Sequence, residues 1–314
     1  MEKIIYYILY IMVKRALLIG INYIDANSQY RLNGCINDAI NVENLLIDAY
    51  NYDMNNIKLL RDDIYYWDDN LYPSTKNITR ELNNILEISN DDDEIWIHYS
   101  GHGFYSTDNN SDETDKKDEL IVSVNEKGHL NILLDDELHK IFSKYNKNTN
   151  IFMVFDCCNS GTIADLKYTY RLKKNDTKTI NDDAFKIDNE YVIEKNTENS
   201  SSQLKNIHLL SGSRDDQYSY DAFNRKSQLP MGAMTSSLLY IIRKNKHEMN
   251  LFNLHKSICL DLISKGFVDQ TPCLSMSNEN PSFYLSKVNN DVGKTRINFK
   301  IQYNNNKKMY MNLF

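Results

Sequence analysis

NIFMVFDCCNSG, residues 150–161, runs five apolar residues into an aspartate, two adjacent cysteines and a Ser-Gly turn. An unbroken run of this kind, bounded by turn residues, predicts a strand buried on both faces of a parallel sheet. Side chains alternate along a strand, so Asp156 and Cys158 share one face while Cys157 lies behind. The cysteines could be metal ligands, a redox pair, core filler or a nucleophile. A zinc site needs a second Cys or His pair at ligand spacing, and the sequence has none. The C-x-x-C redox spacing is also absent. A buried, inert thiol is the ordinary fate of a single cysteine.

Working outward, strands and amphipathic helices alternate. RALLIGI (15–21), NIKLLRD (56–62), EIWIHY (94–99), ELIVSV (119–124), NIFMVFDC (150–157) and NIHLLSGS (206–213) read as strands. CINDAINVENLLIDAY (35–50) places Ile36, Ala39, Val42, Leu45 and Leu46 on one helical face; ITRELNNILEI (78–88) and the segment opening at DDELHKIF are further helices. This order predicts an α/β fold, a mostly parallel twisted sheet with helices on both faces. Ligand sites in such sheets lie beyond the carboxyl ends of the strands, where SGHG (100–103) and DCCNSG both fall.

The 314-residue chain is 41% hydrophobic and 25% charged, an ordinary globular composition, and its net charge of −7 disfavours nucleic acid or an anionic membrane as partner. Five scattered cysteines suit a reducing compartment better than a disulfide framework, and the protein is read as cytoplasmic. IIYYILYIMV (4–13) is too short to span a bilayer and lacks the flanks of a signal peptide. It is read as an added strand or as the product of a mis-assigned start, with Met12 the candidate true first residue. The expected organisation is an extension (1–14), a first catalytic region (15–165), a flexible polar insertion (166–205), a second region of the same domain (206–287) and a tail (288–314) that carries no chemical motif.

His102 shifts the balance for the cysteines. It stands in YSGHG between two glycines, at the end of the neighbouring strand, as a histidine would if its backbone had to approach a substrate closely. A thiol beside an imidazole loses its proton near neutral pH and becomes the nucleophile of acyl transfer. Backbone N–H groups of Gly103 and Cys158 are then candidates for the oxyanion hole.

At these residues the sequence resembles the metacaspases, relatives of caspases and paracaspases. ALLIGINY, LNGCINDA, YSGHG, DDELH, DCCNSG, SGSRDDQYSYD, GAMTSSLL and QTPCLS resemble segments of that family in the same order. The resemblance implies a caspase-like fold, His102 as general base and acid, and Cys158 rather than Cys157 as nucleophile. It implies cleavage of protein substrates after Arg or Lys, with Asp38 and Asp156 forming the acidic pocket and Cys35 and Ser100 beside them. A cation about 4 Å from each carboxylate would gain on the order of 4 kcal/mol per contact before desolvation, at an effective dielectric near 20. The resemblance further implies activation by calcium at Asp118, Asp135, Asp136 and Asp165, a monomer, and an association with programmed cell death. Oxygen-only ligands suit a hard cation, although Asp135 and Asp136 also read as a helix N-terminus. Ser123 and Asn125 stand where the family usually has Pro and Asp. Lys167, Arg171, Lys173, Lys174 and Lys178 follow the nucleophile in or beside the polar insertion and are candidate autocleavage sites. A non-catalytic caspase-fold scaffold, and a paracaspase- or legumain-type peptidase of other preference, are the competing readings.

Overall fold

Apolar residues at nearly every position of RALLIG and NIFMVF require burial on both faces, and both stretches lie inside one sheet. The computed structural model describes residues 12–64, 69–107, 117–125, 127–145, 147–158, 163–173, 191–196, 204–212, 221–224, 229–279, 284–285, 297–303 and 307–313. The strands in chain order begin with β1 (Lys14–Gly20), β2 (Ile57–Arg61), β3 (Glu94–Ser100), β4 (Gly103–Thr107), β5 (Lys117–Val124) and β6 (Leu130–Leu134). They continue with β7 (Asn150–Asp156), β8 (Tyr168–Leu172), β9 (Tyr191–Lys195), β10 (Ile207–Ser211), β11 (Asp221–Asn224) and β12 (Leu229–Gly232). The last are β13 (Met249–Asn250), β14 (Cys273–Met276), β15 (Tyr284–Leu285), β16 (Ile297–Tyr303) and β17 (Lys307–Leu313). The helices are α1 (Cys35–Tyr50), α2 (Thr75–Ile88), α3 (Asp135–Ser143), α4 (Ala233–Lys244) and α5 (Leu251–Ser264).

The central sheet has the order β2-β1-β3-β7-β10-β14-β8-β9. Its first five strands are parallel, and β14, β8 and β9 follow, each pairing antiparallel with the strand before it. This is the mostly parallel α/β sheet that the sequence predicts. Alternation sorts the side chains into two cores. Ala16, Leu18, Trp96, Phe152 and Val154 pack with residues of α1, α4 and α5. Leu17, Ile19, Ile97, Tyr99, Met153, Phe155 and Cys157 pack on the other face with residues of α2, α3 and the small β4-β5-β6 sheet. The chain moves from β1 to β2 on one side and to β3 on the other, which opens a crevice at the carboxyl ends of β1 and β3.

Two expectations change. α2 starts at Thr75 rather than Ile78, because Ser74 Oγ accepts a hydrogen bond from Asn77 N and caps an extra polar turn. The stretch expected as a flexible polar insertion supplies β8 and β9 to the central sheet. Tyr168, Tyr170 and Tyr191 are buried there, and the last two meet Phe252 edge-on at 5.0 and 5.6 Å. Averaged composition hid three tyrosines that anchor otherwise polar segments. The proposed N-terminal strand lies outside the described residues, as does much of the 166–205 segment.

Three histidines, His98, His208 and His255, are buried in the sheet layers. Burial pushes them down from 6.5 to about 3, 4 and 4. A folded-state value below the unfolded one means the unfolded chain binds more protons, so stability is lost as pH falls from about 6.5 toward 4. Urea unfolding across that range should show this loss. His98→Leu should flatten the slope by about one proton equivalent.

Candidate active site

Ser100 pairs with Asp156 at the in-register ends of β3 and β7. Each chain continues two residues further, to His102 and to Cys158. Gly101 N–H points to Asp156 O at 3.5 Å. A Cβ on Gly103 would collide with the Cys158 carbonyl and touch Cys157 Sγ, so the backbone after β3 lies directly against the cysteine pair. A Cβ on Gly101 would collide with the Tyr99 and Tyr23 hydroxyls. The glycines flanking His102 therefore make room for the protein's own backbone and hydroxyls, where the sequence suggested room for a substrate. Cys157 is 1% exposed inside the core; Cys158 is half-buried.

Both the imidazole and the backbone of His102 are held. Its Nε2 lies 2.8 Å from the Tyr30 carbonyl oxygen. A carbonyl can only accept, so Nε2 carries the proton and Nδ1 of the neutral ring is left basic. The ring stacks on Tyr23 at 4.6 Å. His102 N–H donates to Tyr23 Oη at 2.6 Å, and its carbonyl accepts from Tyr99 Oη at 2.6 Å and Val122 N at 2.9 Å. Burial pushes both phenols well above their ordinary value, so both remain protonated donors. Sequence reasoning missed all three tyrosines. Tyr23 and Tyr99 had a signal, since each closes an apolar strand at the same end as SGHG. Tyr30 had none, because its contribution is a main-chain oxygen.

A second Cys/His pair shows why proximity is insufficient. Cys259 Sγ lies 3.6 Å from His255 Nε2, one turn apart on α5. That nitrogen is 2.9 Å from the Pro272 carbonyl, and both residues are buried. Burial pushes the thiol far up and the imidazole down to about 4, so neither carries charge at neutral pH.

The carboxylates meet on the α1–α4 side of the sheet. Asn22 Oδ1 accepts from the N–H groups of Cys35 and Ile36 at 3.0 and 3.3 Å, which starts α1 and places Asp38 in its first turn. Asp38 Oδ2 accepts from Ser100 Oγ at 2.7 Å and from Gly232 N at 2.9 Å. Asp156 Oδ2 accepts from Thr235 N at 2.8 Å, in the first turn of α4. A Cβ on Gly232 would collide with the Oδ2 atoms of both aspartates, so those oxygens lie within about 5 Å of each other and repel unless a cation joins them. Cys35 is buried beside this pair at the head of α1. Gly232 and Thr235, unnoticed as functional residues in the sequence, hold it through backbone N–H groups, and position 232 has no room for a side chain.

The acidic set assigned to calcium is less assembled. Asp135 Oδ2 accepts from Glu119 N at 2.7 Å and its Oδ1 from Asp136 N at 2.8 Å. Asp136 is exposed; Asp165 is buried, with Oδ2 3.9 Å from His139 Nδ1. The Asp118 side chain lies outside the described residues. Among the described residues, no three His, Cys, Asp or Glu side chains are grouped to hold a metal.

Together, the sheet and the His/Cys strand ends define the caspase-like class of α/β proteins. Solved structures agree on the fold: a Geobacter sulfurreducens protein has a TM-score of 0.59 and 19% identity, covering 88% of this chain and 98% of that one. Caspase-1 of Spodoptera frugiperda has a TM-score of 0.52 and 10% identity, covering 85% of this chain and 87% of that one. Residues 14–167 match the model of the metacaspase, peptidase C14 domain. Metacaspase-1 of Candida glabrata is 30% identical over 295 residues, covering 84% of this chain and 73% of the relative. Metacaspase-1A of Aspergillus oryzae is 31% identical over 297 residues, covering 84% and 68%. Metacaspase-1 of Saccharomyces cerevisiae is 38% identical over 161 residues, 51% of this chain but 36% of the relative, so this chain spans about a third of that protein. The chain belongs to the metacaspase family of cysteine peptidases.

Of five cysteines, only Cys158 is not buried. One equivalent of iodoacetamide at neutral pH should therefore label Cys158 first, as peptide mapping by mass spectrometry would read. Preferential labelling of Cys157 would reverse the assignment.

Proposed function

We propose that this protein is a cysteine endopeptidase that cleaves polypeptides after Arg or Lys, with Cys158 as nucleophile and His102 as general base and acid. The observation that carries this reading is the Ser100–Asp156 register, which brings SGHG, DCC and two converging carboxylates to neighbouring strand ends. His102 Nδ1 takes the Cys158 proton while Nε2–H stays on the Tyr30 carbonyl. The thiolate attacks the carbonyl carbon of the scissile bond. Backbone N–H groups of Gly103 and Cys158 hold the resulting oxyanion, each such donor worth roughly 3 kcal/mol of barrier. His102 then protonates the departing amine, and water activated by the same ring hydrolyses the acyl-enzyme. The guanidinium or ammonium of the residue before the cut enters between Asp38 and Asp156, with Cys35 and Ser100 alongside. Their paired charge rejects an acidic side chain.

Cleavage of an Arg-ended fluorogenic peptide should be lost in Cys158→Ala. In Asp38→Asn and Asp156→Asn, kcat/KM should fall roughly tenfold to hundredfold. Equal cleavage of Asp- and Arg-ended peptides would sink the pocket assignment, and no cleavage of any peptide would leave the scaffold reading.

Calcium activation and autoprocessing belong to the same proposal. An ion drawn by Asp135, Asp136 and Asp165 needs Asp118 to complete its shell and competes with the two N–H groups now on Asp135. No step of the bond cleavage runs through it. Arg171 lies inside β8, paired with Glu194 at 2.9 Å, and Lys167 immediately precedes that strand. Cutting at either would demand removal of β8 from the sheet, so Lys173, Lys174 or Lys178 is the favoured site. Lys174 and Lys178 lie outside the described residues. Intact-mass analysis after calcium addition should reveal a cut at one of these three, absent in Cys158→Ala and in Asp118→Ala. An uncut chain with full activity would remove autoprocessing, and equal activity with and without calcium would remove the activation.

We also read the chain as acting as a cytoplasmic monomer. β8 and β9 cover the outer edge of β14, which would otherwise be open to a second copy. No helix among the described residues is long and apolar enough to cross a membrane.

A further inference from the structure

One buried carboxylate in the region touches no reacting atom. Asp62 follows β2, and its Oδ1 and Oδ2 accept the N–H groups of Asn22 and Ile24, both at 2.9 Å. These residues flank Tyr23, whose φ of +56° is a left-handed conformation that an aromatic side chain adopts only where its surroundings over-determine it. Asn22 also caps α1 through Oδ1, and its carbonyl accepts from Leu32 N at 3.0 Å. Asp62 thus closes the loop between β1 and α1 at both sides of its strained residue. That loop presents two groups that contact the imidazole, the Tyr23 ring at 4.6 Å and the Tyr30 carbonyl at 2.8 Å. Asp63 next to it pairs instead with Arg61 and accepts neither of these N–H groups.

We propose that Asp62 is a positioning residue for His102. Acting through Asn22, Tyr23 and Tyr30, it fixes the tilt of the ring and the tautomer in which Nδ1 is the acceptor of the Cys158 proton. The inference rests on the reading of His102 and Cys158 as the reacting pair, but not on the Arg/Lys preference. Burial raises Asp62 to about 6, so it is mainly ionised at neutral pH and accepts both N–H groups.

Asp62→Asn retains size but turns an amide NH2 toward one of the two N–H donors. It should lower kcat roughly tenfold or more with KM changed less than about twofold. It should also move the pH midpoint of Cys158 alkylation by iodoacetamide by about half a unit or more. Asp63→Asn, the control, should change neither. A folded Asp62→Asn protein, judged by circular dichroism and thermal midpoint, with kcat and alkylation profile unchanged would overturn the proposal. Should that variant not fold, Tyr23→Phe and Tyr23→Leu keep the pin and remove the hydroxyl or the stack. Both must still displace the alkylation midpoint, and failure of both overturns it equally. Alkylation needs no peptide, so wild-type Cys158 titrating as an ordinary free thiol would instead defeat the peptidase reading and this inference with it.

Discussion

Parallel pairing of β3 with β7, with Ser100 opposite Asp156, is the constraint on which the site depends. It sets two loop starts side by side and aligns them to the residue. A slip of one position would turn Asp156 toward the α2–α3 core and bring Cys157 to the carboxylate side. Asp38 would then lose its company at Gly232, and Gly103 would no longer lie against the Cys158 carbonyl. The register is itself secured by the two cores, because Trp96 and Phe152 must pack on one face while Ile97 and Met153 pack on the other.

Around that pairing, burial distributes chemical character. Buried carboxylates are met by converging N–H groups or hydroxyls, as at Asp38, Asp156 and Asp62. Tyr23 and Tyr99, buried without cations, remain neutral and serve as a brace for the His102 backbone. Cys259 and His255 are close but sealed, and burial removes the charge that reactivity requires. Cys158 and His102 are only half-buried.

Legibility followed physical range. Local pattern marked α1 from Cys35 to Tyr50 and the apolar strands, because burial on both faces leaves a continuous apolar run. β8 and β9 escaped notice, since each carries only one or two buried tyrosines among polar neighbours and gains its place by joining an existing edge. In the site, His102 and the cysteine pair were visible by their chemistry, whereas Asp38, Asp156 and the choice of Cys158 came with the family resemblance. Contributions made by main-chain atoms were not visible, among them the Tyr30 carbonyl and the N–H groups of Gly232 and Thr235.

The order of residues alone determined that strands alternate with helices, that polar chemistry gathers at strand ends, and that Asp156 and Cys158 share a face. These follow from periodicity, which is a property of neighbours along the chain. Only the folded arrangement decided that Asp38 and Asp156 meet over Gly232 and that a loop held by Asp62 stacks Tyr23 on His102. Those partners come from distant parts of the chain, and the closeness that gives them their energy exists only after the sheet has assembled.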